Sequence, residues 1–227
     1  MDEASATIST TIAFGLPMNM PLIVPLESST HRYSADITAG SLKVPETRVI
    51  AKLLLRGNLT DKIWQQAIVE ENILQKPTIA TAIRFARLVR KRLETMDQEL
   101  WELIAEGSTP VATHAAFAAA VKHSPLLGDF LDLVVRDQYK TFQPQLSKNL
   151  WEQYLGNCRG SAPEISGWSE STLRRLRSSV FQTLSQAGYV DNSRNLRLQS
   201  VHIVAPVLRY LRARQEKYVL RCLEVSA

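Results

Sequence analysis

The stretch Ser169-Glu170-Ser171-Thr172-Leu173-Arg174-Arg175-Leu176-Arg177-Ser178-Ser179-Val180-Phe181-Gln182-Thr183-Leu184 decides how this chain is read. Leu173, Leu176, Val180, Phe181 and Leu184 recur at helical spacing, so one face of a helix is buried here. Ser169 or Ser171 suits its N-cap, because a hydroxyl satisfies a free N–H of the first turn. Gly188 ends the helix by taking the left-handed conformation just past it. Tyr189-Val190 and Leu196-Arg197-Leu198 then read as two short strands, joined by the polar turn Asp191-Asn192-Ser193-Arg194-Asn195. A helix followed by a hairpin reads as a winged helix-turn-helix, and residues 161–227 are assigned to it. One closing helix is expected from Ala205 to Leu223, with Pro206 in its first turn.

The basic residues of this segment bear on function. At ~100° per residue Arg174, Arg175 and Arg177 cannot all face one way, but Arg174, Arg175 and Ser178 fall on one arc. Arg and Ser are the residue types that hold phosphates and reach base edges. Arg194 and Arg197 on the hairpin would straddle a neighbouring groove of a duplex. The competing reading is the solvated face of a winged helix that binds protein. Arg209, Arg212, Arg214, Lys217 and Arg221 spread around the closing helix and read as solvated charge.

Upstream, residues 34–160 read as a helical body. Pro45 and Glu46 suit a first turn whose buried stripe is Val49, Ile50, Leu53 and Leu54, ending at Gly57. Thr60 caps a helix carrying Ile63, Trp64, Ala67 and Ile68. After a break at 72–77, Thr78 caps a third helix. Ile79, Ile83, Ala86, Val89 and Leu93 form its apolar face, and Arg84, Arg87 and Lys91 another, flanked by Arg90 and Arg92. Three short helices with a basic third form a helix-turn-helix-like unit and a second phosphate track. The opposing reading pairs these bases with Glu94 to Glu106, pairs worth little when exposed. Further helices are expected at 98–105, 111–122, 126–139 and 146–155, the second alanine-rich. Gly156 to Gly167 is the linker candidate. Residues 1–33, rich in Ser, Thr, Pro and Met, read as a flexible tail. The fold class is therefore mainly α.

Charge is clustered. The chain has 227 residues, 27 Lys and Arg against 22 Asp and Glu, and a net charge of +5. Residues 76–93 carry six bases and no acid, and residues 165–227 carry ten bases against four acids. Concentrated positive charge favours a polyanion partner. The two cysteines, Cys158 and Cys222, read as isolated thiols of a cytoplasmic protein. His31, His114, His123 and His202 lie at no metal-ligand spacing, and the nine glycines form no phosphate loop. Hence no metal, cofactor or catalytic residue is expected. No stretch approaches the ~20 apolar residues of a membrane span.

Several short stretches together resemble one family. They are Tyr33 to Leu42 (YSADITAGSL), Glu46-Thr47-Arg48, Trp64 to Leu74 (WQQAIVEENIL) and Thr81 to Arg87 (TAIRFAR). The alanine-rich middle, the helix near Trp151, Trp168-Ser169 and Gly188-Tyr189-Val190 add to them. In order and spacing these resemble the BrxA family of BREX bacteriophage-defence systems, over residues 33–210. The resemblance implies a non-enzymatic accessory encoded beside a methyltransferase, an ATPase and an alkaline-phosphatase-like protein. It also implies binding of double-stranded DNA, or of RNA, since the family has been likened to the antitermination factor NusB. A protein-interaction scaffold within the defence complex is the third reading.

Overall fold

The structure, a computed structural model, describes residues 32–226. Its helices begin where the caps and prolines put them. Helix α1 (Val44–Leu55) has a proline in its first turn. In α2 (Asp61–Gln65) the Thr60 hydroxyl accepts the Ile63 N–H, and the helix runs on as a π-helical turn, Gln66–Glu70. In α3 (Ile79–Leu93) Thr78 accepts from the Thr81 N–H. Helices α4 (Gln98–Glu106) and α5 (Thr109–His123) follow. Next come α6 (Pro125–Asp129), a π-helical segment Phe130–Val135, and α7 (Arg136–Lys140), which together form one continuous helix. Then come α8 (Lys148–Cys158), α9 (Glu170–Gln186), α10 (Ala205–Ala213) and α11 (Lys217–Leu223).

The alanine-rich α5 is the centre. Its Ala112, Ala115, Ala116, Phe117, Ala118, Ala119, Ala120 and Val121 are all buried, as a helix apolar on every side must be. Methyl side chains let α1, α3, α4, α6, α10 and α11 all pack against it. A second group of aromatics sits beside it. Phe130 meets Trp151 at 5.0 Å, Tyr154 at 5.4 Å and Phe181 at 6.3 Å, joining the π-helical segment, α8 and α9. The described residues fall in one compact unit, and the helices before and after residue 160 share one hydrophobic core. Within the 156–167 stretch, α8 runs through Gly156 to Cys158, and Ala162 and Ile165 are buried.

Several expectations are corrected. The two strands of the hairpin shrink to one antiparallel bridge, Val190 to Leu198, with a second bridge from Gln145 to Arg197. No longer strand occurs among the described residues. The reason is local: Leu196 takes φ 59 and its N–H turns back to the Asn192 carbonyl, so extended pairing stops after one residue. Leu146 belongs to that bridged segment rather than to a helix, donating its N–H to the Leu196 carbonyl at 2.9 Å, and α8 starts only at Lys148. The single closing helix is two, because Gln215 has φ 56 and the Glu216 N–H reaches the Leu211 carbonyl. Ile79 is not on the buried face of α3; it is 55% exposed. The tail assigned to residues 1–33 lies outside the described residues except for Arg32 and Tyr33. Tyr33 is buried, its hydroxyl donating to Asp129 at 2.8 Å.

Candidate nucleic-acid interface

A short 3-10 turn, Asp36–Ala39, is the geometric key, because it packs against both α3 and α9. It is pinned from below. Arg92 of α3 is buried and donates to the Ser41 carbonyl at 2.8 Å and the Gly40 carbonyl at 3.0 Å. Burial lowers its pKa to about 10, although Asp36 lies close enough to oppose the shift. The reading of Arg92 as a flank of the basic face is therefore corrected: its guanidinium faces inward and holds the chain after the turn. From the other side, Gln186 of α9 accepts the Leu42 N–H at 2.9 Å. Gly40 sits against the Phe85 ring, where an added Cβ would come within 2.7 Å.

The turn thereby separates two grooves. On the α9 side Arg174, Arg175, Ser171 and Ser178 face Thr38 across a groove of about 450 Å³. Ser169 caps α9 by accepting the Thr172 N–H, which fixes the rotation of the helix at its first turn. With Leu176, Val180 and Leu184 buried, Arg174, Arg175 and Ser178 are left exposed on one arc. Arg174 has only an exposed contact with Glu170 at 3.9 Å, and Arg175 has no ion pair among the described residues. Arg177 points elsewhere, donating to Glu152 of α8 at 2.9 Å. The arc anticipated from helical angles is the one that forms, and Arg177 stands outside it.

On the α3 side Arg84, Arg87 and Lys91 are exposed and border a second groove, of about 480 Å³, against Asp36 and Ala39. Lys91 lies 3.9 Å from the Asp36 carboxylate, which is also 3.7 Å from His123 Nε2. Burial and the nearby Arg92 and Lys91 hold the His123 pKa below its ordinary value against the pull of Asp36. Arg84 stacks at 5.4 Å on Phe85. Arg90 lies 4.8 Å over the Trp64 ring and is bonded to Glu94 at 2.6 Å, so it is already engaged. Among the described residues the acids at the start and end of α4 pair with Arg214 and Lys52, and none pairs with Arg84, Arg87 or Lys91.

The hairpin is a stiff loop. Asp191 accepts the Asn192 and Arg197 N–H groups, and Asn192 Oδ1 accepts those of Arg194 and Asn195. Desolvation works against the Asp191 carboxylate, but those backbone donors hold its pKa below the ordinary value. Arg194 and Arg197 are both exposed on this loop, with no ion pair among the described residues.

Ser171 reads from sequence only as an alternative cap of α9, not as a groove residue, and no local signal marks Thr38. Of the histidines, His114 accepts the Val204 N–H at 3.1 Å and supports the start of α10, and burial lowers its pKa. Among the described residues no group of three or more His, Cys, Asp or Glu side chains could hold a metal ion. Nor is any described helix long and apolar enough to cross a membrane.

Similarity to known proteins covers most of this architecture. A family model described as BrxA matches residues 31–215. The BREX protein BrxA of Paramagnetospirillum magneticum (strain ATCC 700264 / AMB-1) is 51% identical over 195 residues, 86% of this chain and 98% of that protein. The BREX protein BrxA of Escherichia coli O9:H4 (strain HS) is 35% identical over 189 residues, 83% of this chain and 88% of that one. A crystal structure of an uncharacterized protein from Magnetospirillum magneticum matches with a TM-score of 0.80 at 50% identity, covering 86% of this chain and 100% of the other. With the similarity running from the buried Tyr33 through both basic helices, the chain belongs to the BrxA family.

Proposed function

We propose that this protein is a component of a BREX phage-defence system that binds double-stranded DNA and performs no catalysis of its own. One observation carries the reading: Arg174 and Arg175 stand beside the hydroxyls of Thr38, Ser171 and Ser178 in one groove. Guanidinium and hydroxyl groups are what a phosphodiester backbone accepts from. Arg84, Arg87 and Lys91 extend the positive surface across the Asp36–Ala39 turn, and Arg194 and Arg197 extend it along the hairpin.

The order of elements supports the finer description, a winged helix-turn-helix. The helix from Pro125 to Lys140 precedes the segment 144–146, then α8, α9 and the hairpin. Segment 144–146 bonds to 196–198, and 189–191 bonds to 197–199, as three short antiparallel lengths. In that reading α8 and α9 are the helix pair, α9 enters the major groove and the 192–195 loop is the wing. The unit so read takes in α6 to α8 as well as residues 161–227. Phosphate contacts dominate, so sequence preference is weak. The remaining faces serve the methyltransferase, ATPase and phosphatase-like proteins of the system.

The test is a fluorescence-anisotropy titration of a labelled duplex, with structured RNA as competitor. Binding at about 50 mM salt that collapses by about 200 mM supports the reading. RNA winning at equal salt would make it an RNA adaptor, and absence of binding at low salt a scaffold.

A further inference from the structure

The two grooves beside the Asp36–Ala39 turn differ in chemistry. The α9 groove is bordered by hydroxyls and guanidinium groups. The α3 groove instead has an aliphatic floor, made by Ala39, Ala80, Ile83 and Leu88. Its cations, Arg84, Arg87 and Lys91, stand at the rim. Ile79, one helical turn before Ile83 and 55% exposed, continues the apolar surface toward the start of α3.

A duplex backbone has nothing to fill such a floor. A single strand would insert bases, but base stacking needs aromatic platforms, and no aromatic side chain lines this groove among the described residues. Phe85, next to Arg84 in the chain, turns toward Gly40 and carries Lys43, Lys76 and Arg84 around its ring. An aliphatic floor with cations at its edge complements a helix that presents apolar anchors flanked by carboxylates. Arg84 and Arg87 have no ion pair among the described residues, whereas Lys91 is drawn toward Asp36 at 3.9 Å. The acids of a ligand therefore belong at the Arg84–Arg87 end.

We infer that the α3 groove is a docking site for an acidic amphipathic segment of a protein partner; a docked segment takes over Arg84 and Arg87 and leaves the duplex the cations of α9 and the hairpin. The two surfaces share the turn, so a docked partner and a bound duplex lie side by side.

The probe is a labelled synthetic peptide of about four helical turns, with Leu or Phe at every third or fourth position and Glu between. A scrambled peptide of the same composition and a short oligothymidine serve as comparisons. Ala80 is exposed, so Ala80→Phe fills the floor without changing charge, and Ala80→Gln covers it with a polar group. Circular dichroism confirms that each variant is folded. The amphipathic peptide should bind the unmodified protein, and both variants should weaken it at least tenfold while shifting duplex affinity less than about twofold. Arg174→Ala with Arg175→Ala should do the reverse, so failure of duplex binding alone leaves this inference standing. The inference falls if no peptide binds or the scrambled peptide binds equally. It also falls if Ala80→Phe leaves the peptide bound, or if oligothymidine is what that variant displaces.

Discussion

Neutralising Arg174 and Arg175 together is the sharpest test of the interface. With the α3 groove empty, seven exposed cations are available to a duplex: Arg84, Arg87, Lys91, Arg174, Arg175, Arg194 and Arg197. If all reach phosphates, the slope of log affinity against log salt is about −6, and raising salt from about 50 to about 200 mM costs several thousand-fold. Arg174→Ala with Arg175→Ala removes two contacts and should flatten that slope by about 2. At about 0.1 M salt each lost contact forfeits roughly 1 kcal/mol of counterion release, so the pair weakens binding by roughly 30- to 60-fold. Both side chains are exposed, and among the described residues Arg174 has only the 3.9 Å ion-pair contact with Glu170, so the melting temperature should not move. Arg177→Ala is the internal control. That guanidinium already lies 2.9 Å from Glu152, and its loss should cost less than about threefold. Anisotropy titrations at four salt concentrations read both quantities. An unchanged slope for the double variant, or an equal loss for Arg177→Ala, would refute the assignment of the arc.

Other expectations concern the frame that holds the site. Arg92→Met should destabilise the fold by roughly 3 kcal/mol in urea denaturation, since the Ser41 and Gly40 carbonyls lose a buried charged donor. A loss within error would mean that the turn is held by other contacts. Gly128→Ala should cost about 1–3 kcal/mol, because a Cβ there would lie 2.3 Å from the Tyr218 hydroxyl that donates to Asp129; calorimetry decides it. Ser169→Ala removes the cap of α9 and should cost about 1 kcal/mol. Burial lowers the pKa values of His114 and His123, so the unfolded chain takes up their protons first as pH falls below about 6.5. Their contribution to stability is complete above that pH and is lost toward the lower folded-state values. The melting temperature should therefore drop from pH 7 to pH 5.5, and His114→Gln with His123→Gln should flatten the fall.

Local signals were read directly from the chain. Thr60, Thr78 and Ser169 cap the helices they precede, and Gly188 takes φ 86 where α9 must stop. Helical spacing alone put Arg174, Arg175 and Ser178 on one arc, since the rotation per residue is fixed once the buried leucines are known. The alanine-rich stretch announced a helix approached closely by its neighbours, and it proved to be the centre of the core. Similar reasoning failed where the decisive contact is remote. Nothing near Arg92 says that it turns inward, because the carbonyls that satisfy it lie about fifty positions earlier, at Gly40 and Ser41. The break at Gln215 and the shortening of the hairpin depend on left-handed backbone at residues other than glycine, which composition does not flag.

The sequence by itself determined that the protein is helical, where most helices begin, and that two segments far apart in the chain carry its positive charge. Only the tertiary structure decided that these segments border the same four-residue turn, one groove lined by hydroxyls and the other floored by aliphatic side chains. The physical reason is range: capping, periodicity and net charge act within a few turns of chain. The meeting of α3 and α9 across Asp36–Ala39 is instead set by how their buried faces pack around a shared core.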